Sequence, residues 1–96
     1  NISPADLEDA LMAVDEVADA AVVGMPSEKW GETPVGFVTL KAGSERNGAP
    51  IRDQVNAGLG KTQRLSEVHV LDELPRSHIG KVLKTELRAM IPELAG

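Results

Sequence analysis

The sequence predicts a small α+β domain: a three-stranded, mainly antiparallel sheet packed with helices. Three observations lead there. Apolar residues recur at helical spacing in three places, Leu7/Leu11/Val14, Ile51/Val55/Leu59 and Leu83/Leu87/Met90. Between them lie runs rich in Val, Ala, Phe and Leu that end at Gly, Pro or charged loops, at residues 17–25, 35–41 and 67–73. With 96 residues and 42% hydrophobic content, the chain can build one modest core, so residues 1–96 are read as a single domain without linker, repeat or low-complexity tract.

The first helix starts at a recognisable cap. Ser3 is the N-cap, Pro4 takes the first helical position, and Asp6 follows three residues after the cap, near the positive end of the helix dipole. A cap this close to the start, without methionine or leader, predicts a piece of a longer protein in which Asn1 is not the natural terminus. The acids Glu8, Asp9, Asp15, Glu16 and Asp19 are expected on a solvated face and its exit loop. The first strand, 17–25, is largely apolar and stops at Gly24-Met25-Pro26. A polar loop, 27–33, then carries Trp30, which with Phe37 makes up the whole aromatic content. An indole in such a loop either caps a core edge or offers a flat face to a ligand ring. The second strand, 35–41, pairs antiparallel with the first. A loop over 42–50 leads into a short second helix, weakened by Gly58 and stopped around Gly60, and the third strand runs straight into Pro75.

Residues 74–88 hold the chemistry-bearing stretch. Pro75 fixes φ and ends the apolar strand, Gly80 permits backbone conformations closed to other residues, and Lys81 is expected at a loop-to-helix junction. A lysine at a helix N-terminus makes the local field doubly positive, which suits a phosphate or carboxylate; a solvated lysine after a loop glycine is the alternative. Charge is distributed accordingly. Residues 1–28 contain seven acids and no base, whereas residues 61–88 hold six bases against four acids. The net charge of −5 argues against general nucleic-acid affinity.

Other chemistries are disfavoured. There is no cysteine, hence no disulfide framework or thiol nucleophile, a composition that suits the cytoplasm. No apolar run approaches the ~20 residues of a membrane-spanning helix. Gly58-Leu59-Gly60-Lys61-Thr62 ends like a phosphate-binding loop, but Val55 stands where that motif needs glycine, and a helix precedes it where a strand is required. His69 and His78 are too few and too separated to define a metal site, and His69 is expected on the surface of its strand.

Taken in order, Asn1-Ile2-Ser3-Pro4-Ala5-Asp6-Leu7-Glu8, Val22-Val23-Gly24, Trp30-Gly31-Glu32, Leu74-Pro75-Arg76 and Gly80-Lys81-Val82-Leu83-Lys84 resemble the C-terminal domain of AMP-forming acyl-CoA synthetases. These belong to the adenylate-forming superfamily, with luciferases and adenylation domains, and the resemblance covers essentially the whole chain. It implies a reaction in which a carboxylate attacks ATP to give an acyl-adenylate, after which the CoA thiol displaces AMP, with the small domain rotating between the two steps. By this resemblance Lys81 is the adenylation lysine, supported by the motif residues Pro75, Arg76 and Gly80.

Trp30 is similar to an adenine-stacking tryptophan of some CoA ligases, Arg64 falls in a segment that can meet CoA phosphates, and Asn1 falls near the pantetheine channel. The family often has Tyr-Lys-x-Pro where this chain reads Thr62-Gln63-Arg64-Leu65, a departure that bears on the CoA contacts and not on Lys81. The large N-terminal domain is the implied partner. It would carry the acyl pocket and most of the Mg2+ bound with ATP, so this chain alone is expected to be inactive. A lysine acetyltransferase and deacetylase acting on Lys81 are further implied partners; no metal site is expected here. The alternatives are the lid of an amino-acid or acyl adenylation enzyme loading a carrier-protein thiol, and a non-catalytic α+β interaction module.

Overall fold

The computed structural model describes residues 3–27, 31–59 and 64–95. Along the chain run α1 (Pro4–Met12), β1 (Val17–Ser27), β2 (Gly31–Leu40), α2 (Gly48–Ala57), β3 (Glu67–Val70) and α3 (Lys84–Ala95), and the strands form one sheet in the order β1-β2-β3. Helix α1 begins as expected. The Ser3 hydroxyl accepts from the Asp6 amide at 3.3 Å while the Asp6 carboxylate accepts from the Ser3 amide, a capping box with aspartate in the usual glutamate position. Leu7, Leu11 and Val14 are buried.

The β1–β2 pairing is antiparallel, with Ala21 opposite Phe37 and Val23 opposite Val35. The register shifts between Val17 and Asp19. This bulge has a use. Val17 and Val22 pack into the same cluster although they are five residues apart, and the extra residue supplies the change of face that strict alternation would forbid. Beyond the bulge, Asp19, Ala21 and Val23 share the opposite face.

Strand β2 starts at Gly31, earlier than predicted, and includes Pro34. The Pro34 carbonyl accepts from the Ser66 amide at 2.9 Å, so its missing N–H faces the side on which β3 has not yet begun. Strand β3 pairs parallel to β2, Val35 to Glu67 through Val38 to Val70, which makes the sheet mixed, its antiparallel ribbon being the longer part. The parallel sense follows from the connection, since α2 forms a crossover between the two strands. β3 is also shorter than the predicted 67–73.

Each face of the sheet carries a core. On one, Leu7, Leu11 and Val14 of the α1 segment and Ile51 and Val55 of α2 meet Val17, Val22, Val38, Leu65 and Val68. On the other, Leu87 and Ile91 of α3 meet Ala21, Val23, Val35, Phe37 and Leu74. The predicted apolar face of α3 is thus rotated: Leu83 and Met90 are half-buried, and Ile91 is the residue that completes the stripe. His69 is half-buried and not fully exposed on its strand. Its ring lies 5.5 Å from that of Phe37, with Nε2 2.9 Å from Glu67.

Three of the five acids expected in solvent instead bind the fold together. Glu8 accepts from the Val22 amide at 2.8 Å and pairs with Lys84 at 2.9 Å; Glu16 pairs with Arg46 at 3.2 Å; Asp19 accepts from the Ala20 amide at 2.9 Å and pairs with Arg76. Asp9 and Asp15 are exposed as predicted. On the same open side of β1, the Gly24 carbonyl accepts from Arg88 Nε at 3.1 Å. Buried Asn56 clamps the strand entering β3, donating to the Leu65 carbonyl at 3.0 Å and accepting from the Leu65 amide at 2.9 Å.

Helix α2 starts at Gly48, before Pro50, which sits in the first turn where its lack of an N–H costs nothing. A Cβ at Gly48 would lie 1.8 Å from the Val68 carbonyl oxygen, so only glycine lets α2 approach β3 this closely. Gly48→Ala is expected to destabilise the chain by about 3 kcal/mol, the upper end of ordinary overpacking costs. Gly58→Ala, whose Cβ would meet its nearest neighbour at 3.7 Å with negative φ, is the matched control and should change stability by less than about 1 kcal/mol. Urea midpoints at constant m-value measure both.

Candidate functional site

After Leu74, buried in the second core cluster, the chain turns sharply and presents Lys81 before entering α3. The turn closes like a small hairpin. Arg76 and Val82 form an antiparallel bridge, the Leu83 amide donates to the Pro75 carbonyl at 2.8 Å, and the Ser77 amide donates to the Lys81 carbonyl at 2.8 Å. Inside it, the Gly80 amide donates to the Ser77 carbonyl at 2.9 Å and the Lys81 amide to the Ser77 hydroxyl at 3.3 Å. Gly80 has φ +87, the left-handed region that L side chains rarely occupy. Pro75 needs no amide partner at the turn's entry, and its fixed φ ends the extended run.

Lys81 is therefore not at the helix start. Val82 is committed to the bridge with Arg76 and the Leu83 amide to Pro75, so α3 begins only at Lys84, with the Leu83 carbonyl accepting the first helical bonds from Glu86 and Leu87. The awkward cation at the positive end of the helix is Lys84, and the Glu8 carboxylate answers its charge. Lys81 belongs to the turn. Its residue is exposed, and among the described residues no acid lies within ion-pair distance of its ammonium. A fixed backbone thus carries an exposed cation with no acid partner among the described residues.

Arg76 gains a structural role that the sequence did not reveal. One guanidinium nitrogen donates to the Gly80 carbonyl at 2.8 Å and the other pairs with Asp19 on β1. Ser77 braces the two peptide groups that flank the Lys81 Cα, accepting from the Lys81 amide through its hydroxyl and donating its own amide to the Lys81 carbonyl, whereas His78 and Ile79 at the tip are exposed. Of the other predicted site residues, Arg64 is exposed at the approach to β3, on the far side of the sheet order from β1. Trp30 and Asn1 lie outside the described residues. Among the described residues no group of three or more His, Asp and Glu side chains could hold a metal, and no helix is long and apolar enough to cross a membrane. A shallow cleft of about 270 Å³ between α1 and α2, lined by Ala10, Val14, Gln54 and Leu59 among others, holds no titratable group.

A mixed three-stranded sheet with helices on both faces is the fold that this chain shares with the C-terminal part of adenylate-forming enzymes. This chain belongs to the AMP-binding enzyme C-terminal domain family, whose model matches residues 6–81. The matched segment ends at Lys81 itself. The chain is 36% identical to 2-succinylbenzoate–CoA ligase of Geobacillus kaustophilus, over 97% of this chain and 19% of the relative. It is 38% identical to 4-coumarate–CoA ligase 2 of Oryza sativa, over 94% of this chain and 16% of the relative. The crystal structure of ATP-bound MatB from Rhodopseudomonas palustris superposes on all of this chain and 19% of that one, at a TM-score of 0.86 and 27% identity. The chain spans less than a fifth of the length of these relatives.

A Cβ at Gly80 meets nothing within 4 Å, so the cost of replacing this glycine is conformational and not steric. Gly80→Ala should lower stability by about 1–2 kcal/mol, and Gly80→Asn by less, because asparagine tolerates the left-handed region. Thermal unfolding of the two variants side by side checks the order.

Proposed function

We propose that this chain is the mobile C-terminal lid of an AMP-forming acyl-CoA synthetase and that Lys81 acts in its adenylation half-reaction. The observation that carries the reading is the braced turn: an exposed ammonium, without an acid partner among the described residues, held on a fixed backbone at the end of the segment that matches the family. In that role the ammonium meets the attacking carboxylate and the α-phosphate of ATP, both anionic. It offsets the charge that builds as the carboxylate oxygen bonds to phosphorus and pyrophosphate leaves, and its contribution is orientation and electrostatics without proton transfer. The lid then rotates away so that the CoA thiol can attack the acyl-adenylate and release AMP.

The large N-terminal domain is the partner in this reading. It holds the acyl pocket and the Mg2+ that accompanies ATP, and the enzyme works in the cytoplasm; the 96-residue chain alone is inactive. Relatives named for 2-succinylbenzoate and for 4-coumarate match this domain at nearly the same identity, which supports an acid selected outside it. Acylation of Lys81 would remove its charge, so the same lysine is a natural point of control by an acetyltransferase and deacetylase.

In the full-length enzyme, Lys81→Ala should depress carboxylate-dependent exchange between pyrophosphate and ATP by about 10²- to 10³-fold, the scale of losing one charge-stabilising group. Thioester formation from supplied acyl-adenylate should persist. Equal loss of both half-reactions rejects the lid model. Arg64→Ala and Trp30→Ala address the acceptor: each should raise the Michaelis constant for CoA with little change in adenylation. An unchanged constant would shift the acceptor towards a carrier-protein thiol.

A further inference from the structure

The structure assigns a positioning role to a pair that the reaction itself does not require: Asp19 of β1 and Arg76 at the entry of the Lys81 turn. We propose that they form a clamp fixing the turn to the sheet, so that Lys81 is presented at one height and angle. The inference rests on Lys81 serving adenylation. The turn's own bonds, between Ser77 and Lys81 and across the Arg76–Val82 bridge, set its shape but not its placement. Among the described residues, the polar side-chain contact joining the turn to β1 is that of Arg76 with Asp19. One guanidinium serves both purposes, with Nη2 on the Asp19 carboxylate and Nη1 on the Gly80 carbonyl at 2.8 Å, immediately before Lys81. The planar fork of arginine allows this, and lysine could not reproduce it.

Asp19 is itself oriented. Its Oδ1 accepts from the Ala20 amide at 2.9 Å, leaving Oδ2 for Arg76, and the β1 bulge turns it to the face shared with Ala21 and Val23, on which the turn sits. The two side chains are 37% and 42% exposed, so solvent and salt screen their attraction and the pair adds little to overall stability. Its value lies in orientation. A displacement of the order of 1 Å near reacting groups costs far more in rate than such a pair contributes to folding.

The test uses the full-length enzyme with Asp19→Asn, Asp19→Glu, Arg76→Lys, Arg76→Gln and the double variant Asp19→Asn/Arg76→Gln. Expected are losses of about tenfold or more in pyrophosphate exchange for Asp19→Asn and both Arg76 variants. Asp19→Glu should restore most of the activity, thioester formation from supplied acyl-adenylate should stay near the parent rate, and the double variant should be no worse than the singles. Amide hydrogen exchange in the peptide covering residues 77–83 should quicken in the same variants that lose adenylation. Unchanged exchange in Asp19→Asn overturns the clamp whatever the kinetics. Quickened exchange with intact adenylation, in an enzyme that Lys81→Ala disables, overturns its positioning role. So do additive losses or equal losses in both half-reactions. Intact adenylation in Lys81→Ala would instead overturn the underlying reading of the lysine, while hydrogen exchange still decides whether the clamp exists.

Discussion

The β1–β2 ribbon is apolar on both faces, and a chain of this size has few residues with which to cover it. Phe37, Val35, Ala21 and Val23 look one way; Val22 and Val38 look the other. Burying both faces is the largest favourable term available to the domain, and it dictates where every helix goes. Helices α1 and α2 take one face. The chain must then reach the second face from the end of β3, and it does so through Leu74, Pro75 and the turn that carries Lys81, before α3 lies down on Ala21 and Phe37. The candidate catalytic turn is therefore the crossing point that two-sided burial makes necessary.

Signals confined to a few neighbouring residues were legible. The Ser3-Pro4-Asp6 start, the Leu7/Leu11/Val14 stripe, the three strands and the presence of α2 all follow from caps and periodicity. What the sequence hid depends on partners far along the chain. Lys84 and not Lys81 opens α3 because Val82 and Leu83 are bonded back to Arg76 and Pro75, and nothing in the spacing of Leu83, Leu87 and Met90 records that. Glu8 and Asp19 look like ordinary surface acids until the strand beside them and the cations at 84 and 76 are in place. The parallel sense of β3 required recognising α2 as a crossover. In the site, the Gly-Lys pair was visible as a motif, whereas the bracing by Ser77 and Arg76 was not.

The site divides its labour between backbone and side chain. The peptide groups of Gly80 and Lys81 are bonded on both sides, by Ser77 and Arg76, while the Lys81 ammonium carries no acid among the described residues. An electrostatic group in a transferable domain benefits from both properties. A fixed backbone limits the conformational entropy lost when the lysine meets its target, and an unpaired cation need break no ion pair first. Selection of the acid can then reside elsewhere, and the same small fold can serve ligases named for quite different carboxylates.

β1 is an edge strand, and at three successive alternate positions one of its outward groups is taken by a charged side chain: the Ala20 amide by Asp19, the Val22 amide by Glu8 and the Gly24 carbonyl by Arg88. Those are the groups through which a foreign strand would have to dock. Occupied by side chains that also carry charge, they make the margin of the sheet a poor template for intermolecular pairing. The residues that moor α1, α3 and the turn to the sheet thereby also guard its open edge against strand-mediated self-association.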